Sequence, residues 1–304
     1  QHRADSASNS LAAQIFNVVR YKMNTSQENT SKLISYWLRH KPEEANLDVN
    51  EFGWTEIKRL ISALQKSNIS ISQTDLINLN NSFDKVRWEI NLDEGLIRAT
   101  HGHSFPLILD DKEKLPPETL FHGTSIISLP KIIENGLLPM SRQFVHLSEN
   151  IEEATIVAKR HGKPFIIEIE TEKLIKAGWL FYKTSDNIWL TKQIPKEYLT
   201  FAPWYEADDK DKFRINELKR EIGDRKNHIL YPLLENLQLV WETGTCDDKL
   251  FKDIITEKYY MVHLTFTKKI QEIDGWPILR TYNSFQDWLE KGLWTDQQYF
   301  YDLA

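Results

Sequence analysis

The sequence predicts an α+β protein with more than one domain. Three observations carry this. The 304-residue chain is long for a single core. Segments with helical periodicity alternate with short strand-like ones. The polar stretch from Asp110 to Glu118, with its Pro116-Pro117 pair, separates a helix-rich first part from a strand-rich second. Apolar and charged contents of 41% and 27% are those of a water-soluble chain. No run approaches eighteen apolar residues, so no membrane partner is expected.

The leader, Gln1–Lys22, differs in character from the rest of the chain and reads as a loose tail or expression remnant. Met23 reads as a natural start, and residues 1–27 are set aside as a tail. The apolar run Leu11–Val19 is interrupted by Gln14 and Asn17 and lacks a signal-peptide flank. Thr30 or Ser31 is expected to cap a helix that buries Leu33, Ile34, Trp37 and Leu38. Pro42 stops it, leaving Arg39 and His40 in the last turn, where cations also simply complement a helix C-terminus. Gly53-Trp54 opens a second helix with Ile57, Leu60, Ile61 and Leu64 on one face. A third, around Thr74 to Leu79, comes after Ser72. Val86, Trp88 and Ile90 alternate as a strand, Asp93-Glu94-Gly95 turns, and a returning strand from Leu96 carries Arg98. Three helices and a hairpin over 28–109 is the order of a winged-helix module, a shape that does not by itself establish function.

The second part, 118–200, mixes short strands and helices. Leu120-Phe121 leads into His122-Gly123-Thr124. A helix through Leu129, Ile132 and Ile133 ends at Gly136. A strand over Phe144–Leu147 precedes Ser148, expected to cap a helix through Ala154 and Val157 that runs into Arg160-His161-Gly162. Phe165–Ile169, Trp179–Tyr182 and Ile188–Thr191 read as strands. The third part, 201–304, holds 19 acidic and 14 basic residues, nearly all of the chain's net charge of −6. It begins with a charged helical stretch to about Arg225. Trp241, Trp276, Trp288 and Trp294 predict a core of its own, and Ser284 is expected to cap a helix through Phe285 and Trp288. No catalytic constellation stands out there, and no internal repeat is present.

The stretch Leu96–Ser104 gathers Arg98, His101 and His103 within nine residues. That density of anion-binding groups suggests a negatively charged ligand. A lone strand arginine is usually a surface or ion-pair residue. Here Arg39-His40, Arg98 and Arg142 recur in separate motifs without local acidic partners, and each arginine offers a planar fork to phosphate oxygens. His101 and His103, two apart on an expected strand, would face one side. No carboxylate or cysteine set accompanies them, so no metal is expected. His122-Gly123-Thr124 lets a backbone approach a ligand closely, a weak signal alone. No Ser-His-Asp set, Walker-type loop or GxGxxG segment accompanies these groups. A phosphate oxygen is already anionic near neutral pH, so arginines that position it suffice for attack. The net charge argues against a general nucleic-acid coat while leaving room for a local basic pocket. Cys246, the single cysteine, excludes an intrachain disulfide and fits a cytoplasmic protein.

Taken in order, SKLISYWLRHKP (Ser31–Pro42), Gly53-Trp54 and IRATHGHS resemble the N-terminal lobe of RNA 2′-phosphotransferases of the KptA type. Phe121-His122-Gly123-Thr124, the run from Gly136 to Arg142, and Val145-His146-Leu147-Ser148 resemble their second lobe. So do Arg160-His161-Gly162-Lys163-Pro164 and the segment Asn187–Thr191. The resemblance spans about residues 28–200. It implies a winged-helix RNA-binding lobe (28–109), an ADP-ribosyltransferase-like NAD-binding lobe (118–200) with a split sheet, and an accessory α+β domain (201–304) on which it is silent. It further implies that an internal RNA 2′-phosphate attacks the nicotinamide ribose of NAD, releasing nicotinamide. A neighbouring ribose hydroxyl then attacks phosphorus, giving 2′-OH RNA and ADP-ribose 1″,2″-cyclic phosphate. The family's Arg-His-Arg-Arg set falls on Arg39, His40, Arg98 and Arg142. His122, Gly123, Thr124 and Ser148, with Arg160 and His161, would contact NAD. Lys41, His101, His103 and Ser104 would contact RNA, with tRNA a candidate substrate. Two positions depart from the family: His101 stands where glutamine is usual, and Phe144 where histidine is common. Both departures predict shifted substrate contacts with activity kept.

Two other readings remain open at this level. One is an ADP-ribosyltransferase acting on terminal nucleic-acid phosphates. The other is a non-catalytic RNA-binding module whose C-terminal domain meets a protein partner or self-associates.

Overall fold

A computed structural model describes residues 26–83, 86–109, 113–184, 188–207, 212–244, 246–266, 277 and 279–303. The expected leader Gln1–Lys22, Asn187 and Trp276 lie outside the described residues. The elements begin with helix α1 (residues 26–39), β1 (Thr55–Glu56), α2 (Ile57–Lys66), α3 (Gln73–Asn81), β2 (Trp88–Asn91) and β3 (Leu96–Ala99). Then come β4 (Thr119–Ser125), α4 (Leu129–Asn135), β5 (Val145–Leu147), α5 (Ile151–Ala158), β6 (Pro164–Glu170), α6 (Thr171–Lys176), β7 (Tyr182–Lys183) and β8 (Trp189–Thr191). Next are β9 (Leu199–Thr200), β10 (Trp204–Glu206), α7 (Lys212–Ile222), β11 (Leu237–Thr243), β12 (Asp248–Asp253) and β13 (Tyr259–His263). The chain closes with β14 (Leu279–Tyr282), α8 (Phe285–Trp288) and α9 (Trp294–Phe300), the two helices joined by a π-helical turn, Leu289–Leu293. The mixture of helix and antiparallel sheet is the α+β class the sequence predicts. No helix among the described residues is long and apolar enough to cross a membrane.

The chain divides into two compact units. The first comprises residues up to 114 with 139–145 and 180–192; the second comprises 115–138, 146–179 and 193–304.

In the first unit, Ile34, Trp37 and Leu38 of α1 are buried with Ile57, Leu60, Leu64, Leu76, Trp88 and Ile97. This is the apolar face that the helical spacing predicts. Helix α1 starts earlier than expected. Thr30 and Ser31 lie inside it: the Thr30 hydroxyl donates to the Ser26 carbonyl, and Ser31 Oγ accepts from Arg87 Nη1 at 3.0 Å. Neither therefore caps the helix. The last turn closes as His40 and Lys41 N–H groups both bond the Tyr36 carbonyl, and Pro42 starts a separate 3₁₀ turn. Ser72 and Asp75 form the reciprocal capping box that starts α3. Strand β3 lies between β1 and β2, antiparallel to both. It stops at Ala99, and Gly102 adopts a left-handed φ of +86°. His101 and His103 thus occupy a turn segment, and the shared face expected of a strand does not apply to them.

In the second unit, β6 runs antiparallel between β4 and β9. Helix α5 packs on β4 so closely that a Cβ on Gly123 would lie 1.9 Å from the Ala154 carbonyl oxygen. Asn150, rather than Ser148, caps α5, its side chain accepting from the Glu153 N–H at 2.9 Å. Strands β10 to β14 form a five-stranded antiparallel sheet in sequence order. Helix α7 buries Leu218 and Ile222 with Leu237, Phe251 and Val262. It ends at Ile222, where Arg225 donates to the Glu221 and Ile222 carbonyls and satisfies the helix end. An aromatic chain runs from Phe165 of β6 through Phe201 and Trp241 to Trp288, each step 5.4–6.4 Å between ring centroids. Trp241 and Trp288 thus belong to a core that is continuous with β6.

Candidate functional site

The cationic residues of the first unit converge although they are far apart in sequence. Arg39 is the last residue of α1, and its guanidinium donates to the Arg87 carbonyl at 3.5 Å. Its own carbonyl accepts from the Ser104 N–H at 2.9 Å, which ties the end of α1 to the segment after β3. Gly102 makes the same approach on the side-chain side, its Cβ position 3.7 Å from Arg39 Cδ. The exposed Lys41 Nζ meets Glu43 at 3.3 Å. Arg142 enters through residues 139–145. Gln143 next to it bonds Leu107 twice: Nε2 donates to the Leu107 carbonyl at 2.8 Å, and Oε1 accepts from its N–H at 3.0 Å. The Gln143 N–H also donates to the His103 carbonyl at 3.2 Å. A carboxamide carries a peptide-like donor and acceptor, so this pairing fixes the loop that bears Arg142.

Electrostatics report the same convergence. Burial, followed by the charges of Arg39 and Arg142, lowers the His40 pKa from its ordinary value, so its imidazole is neutral near pH 7. His103 is buried among His101, His40 and the guanidinium groups of Arg39 and Arg98. Burial first, then the Arg39 charge and the smaller effects of His101, His40 and Arg98, push it down to about 3. Its Nε2 is buried without a hydrogen-bond partner among the described residues. Arg142 is exposed as a residue, yet desolvation of its guanidinium lowers its pKa. Neutral imidazoles beside guanidinium groups form a place where an added anion is favoured and can meet a proton acceptor.

Arg98 departs from expectation. It has an acidic partner, Glu89, directly opposite it across β2 and β3. Glu89 Oε2 accepts from Arg98 Nε at 2.9 Å and Nη2 at 2.7 Å. Nη1 donates to the Phe52 carbonyl at 3.2 Å, and the guanidinium lies over the Trp54 ring at 4.5 Å. Glu89 escapes a local reading because it is nine residues away in sequence. Counting the register back from the Asp93-Glu94-Gly95 turn would find it. Gln143 and Arg87 escape as well, and no short-range pattern marks either.

The second unit carries the other candidates. His122, Gly123 and Thr124 lie within β4, and His122 Nδ1 is 3.0 Å from the His146 carbonyl oxygen. What requires glycine at 123 is the Ala154 carbonyl of α5. Ser148 exchanges two backbone hydrogen bonds with Phe121, at 2.8 and 2.9 Å, beside this segment. Arg160 and His161 are exposed in the 3₁₀ turn Lys159–His161, with Gly162 at φ +123° after it. Exposed cations in a turn, a half-buried histidine and a buried threonine fit the pyrophosphate and polar groups of a dinucleotide. Among the described residues no group of three or more His, Cys, Asp or Glu is arranged to hold a metal.

Residues 25–193 match the family model described as "RNA 2'-phosphotransferase, Tpt1 / KptA family". Several curated proteins named "Probable RNA 2'-phosphotransferase" are similar. The one from Acaryochloris marina is 40% identical over 176 residues, covering 58% of this chain and 97% of that protein. The one from Fusobacterium nucleatum subsp. nucleatum is 42% identical over 171 residues, covering 56% and 96%. A third, from Bacillus thuringiensis subsp. konkukian, is 42% identical over 176 residues, covering 56% and 93%.

Proposed function

Because this chain belongs to the Tpt1/KptA family of RNA 2′-phosphotransferases, it is a transferase acting on RNA 2′-phosphate, and we propose that NAD is its co-substrate. The observation that carries this reading is the convergence of Arg39, His40, Arg98, His103 and Arg142 in one unit. The arginines clamp the phosphate and stabilise charge that develops during transfer. A phosphate oxygen bonds to the nicotinamide ribose carbon as the glycosidic bond breaks, and nicotinamide leaves with the bonding pair. The adjacent ribose hydroxyl next bonds to phosphorus, and the bond from phosphorus to the RNA 2′-oxygen breaks. His40, held neutral, accepts the hydroxyl proton in this second step, and the departing RNA 2′-oxygen takes up a proton to become the 2′-OH. Lys41, His101, His103 and Ser104 line the RNA side of the clamp. His122, Gly123, Thr124, Ser148, Arg160 and His161 hold NAD, with Arg160 on its pyrophosphate.

In this reading residues 28–109 are a winged-helix RNA lobe, 118–200 an ADP-ribosyltransferase-like NAD lobe, and 201–304 an accessory region. The accessory region also offers a surface for a protein partner or self-association. The substrate is tRNA carrying a 2′-phosphate in the cytoplasm. The test is a 2′-phosphorylated oligonucleotide incubated with and without NAD. Phosphate loss that requires NAD is the expected result. Loss that proceeds equally without NAD overturns the co-substrate assignment.

A further inference from the structure

Strand β6 is paired by β4 along its whole length, from Thr119↔Glu170 to Ser125↔Pro164. On its other side β9 pairs with Glu168 and Ile169. Buried backbone groups beyond β9 need another partner, since unpaired polar groups are costly inside a protein. The partner of Ile166 is a side chain 131 residues later. Gln297 Oε1 accepts from the Ile166 N–H at 2.9 Å, and its Nε2 donates to the Ile166 carbonyl at 2.9 Å. The same Nε2 donates to the Ala202 carbonyl at 3.0 Å. Gln297 and Ile166 are both fully buried. The carboxamide thus stands in for one peptide group of a missing strand.

Contacts with β6 extend along α9 and the residue just after it. Trp294 Nε1 donates to the Pro164 carbonyl at 2.9 Å, and the Tyr301 hydroxyl donates to the Glu168 carboxylate. Positions 294, 297 and 301 share a helix face and meet alternate residues 164, 166 and 168 of the strand. Across β6, Ile166 pairs with Gly123, Ile167 with His122 and Phe165 with Thr124. On the face of β4 that meets α5, the Ala154 carbonyl oxygen occupies the place a Gly123 side chain would take.

We propose that the C-terminal region is a positioning element for the dinucleotide site: Gln297, through Ile166, holds β4 in the register that presents His122, Gly123 and Thr124 to NAD. This rests on the NAD reading above. Helix α9 acts on those three residues through β6.

The test uses the full chain carrying Gln297→Met, which keeps length and removes all three hydrogen bonds of the carboxamide, two to Ile166 and one to Ala202. NAD affinity is read by tryptophan fluorescence titration, and KM is measured separately for NAD and for 2′-phosphorylated RNA. A rise of about tenfold in Kd and KM for NAD is expected, with KM for RNA and kcat within about twofold. Amide exchange at His122 and Thr124, the β4 residues whose backbone groups face β6, should accelerate in the same variant. If Gln297→Met does not fold, Tyr301→Phe reads the same quantities, with an expected rise of about twofold to threefold for NAD alone. A folded variant with unchanged NAD affinity overturns the proposal, as does a loss that falls equally on NAD and RNA. If the unaltered chain binds no NAD, the NAD reading falls and takes this proposal with it. If it binds NAD and the variants match it, the proposal alone falls.

Discussion

Glu89 and Arg98 face each other across β2 and β3, with one carboxylate oxygen 2.7 Å from Nη2 and 2.9 Å from Nε. Both side chains are largely shielded, at 14% exposure for Arg98 and 31% for Glu89. The carboxylate orients the guanidinium while offsetting part of its charge. These two effects oppose each other for an anionic ligand, so they are separable. In Glu89→Ala, kcat should fall about tenfold as Arg98 loses its orientation. Affinity for 2′-phosphorylated RNA should not fall, because a repelling charge is gone. Single-turnover rates and a filter-binding titration check this, and a parallel loss of binding would count against the orienting role.

Arg142 tests whether geometry or charge matters in the proposed clamp. Lysine keeps the charge but not the planar fork. Arg142→Lys should lower kcat by about 10²-fold. Its melting temperature should stay at that of the unaltered chain, since Arg142 is exposed as a residue and its loop is held by Gln143. A drop in melting temperature matching the loss of activity would point to a structural role.

His103 makes stability depend on pH in a stated direction. Its folded pKa, about 3, lies below the ordinary 6.5, so the folded chain stays neutral there while the unfolded chain takes up a proton. Stability is fully present above about pH 6.5 and is lost as pH falls from there toward 3, at up to about 1.4 kcal/mol per pH unit. Urea melts at pH 7, 6 and 5 should show this slope. His103→Gln should flatten it by about one proton. Parallel slopes for the two proteins would contradict the burial argument.

Gly123→Ala places a methyl where the Ala154 carbonyl oxygen is 1.9 Å away. Strand β4 or helix α5 must then move, at a cost of about 1–3 kcal/mol. Thermal melts should show the loss and NAD titration should show weaker binding. An unaltered melt would mean that α5 yields freely, and the tight packing of this face would have no consequence.

The local chemistry is legible in the sequence wherever the signal is short-range. The spacing of Ile34, Trp37 and Leu38, the short helix after Ser72, the hairpin turn before Leu96 and the Ser284 cap all appear where the pattern places them. Thr30–Ser31 and Ser148 mislead as caps, because a hydroxyl can bond a carbonyl four residues back, or a residue can serve a bridge, as easily as it can start a helix. A strand continued through His103 is too long because Gly102 turns the chain. Partnerships across sequence distance leave no local mark. Gln143 with Leu107 and Gln297 with Ile166 are set by tertiary packing, whereas Glu89 with Arg98 follows from the register of the hairpin. Two of the three use a glutamine amide in place of a peptide group, and glutamine carries no motif of its own.

The most direct test of the central claim is a mass balance on 2′-phosphorylated RNA and NAD with the purified chain. Nicotinamide, 2′-OH RNA and ADP-ribose 1″,2″-cyclic phosphate should form in equal amounts, and Arg39→Ala, His40→Ala, Arg98→Ala or Arg142→Ala should suppress the final two products. Release of inorganic phosphate, or loss of the 2′-phosphate without nicotinamide release, would contradict it.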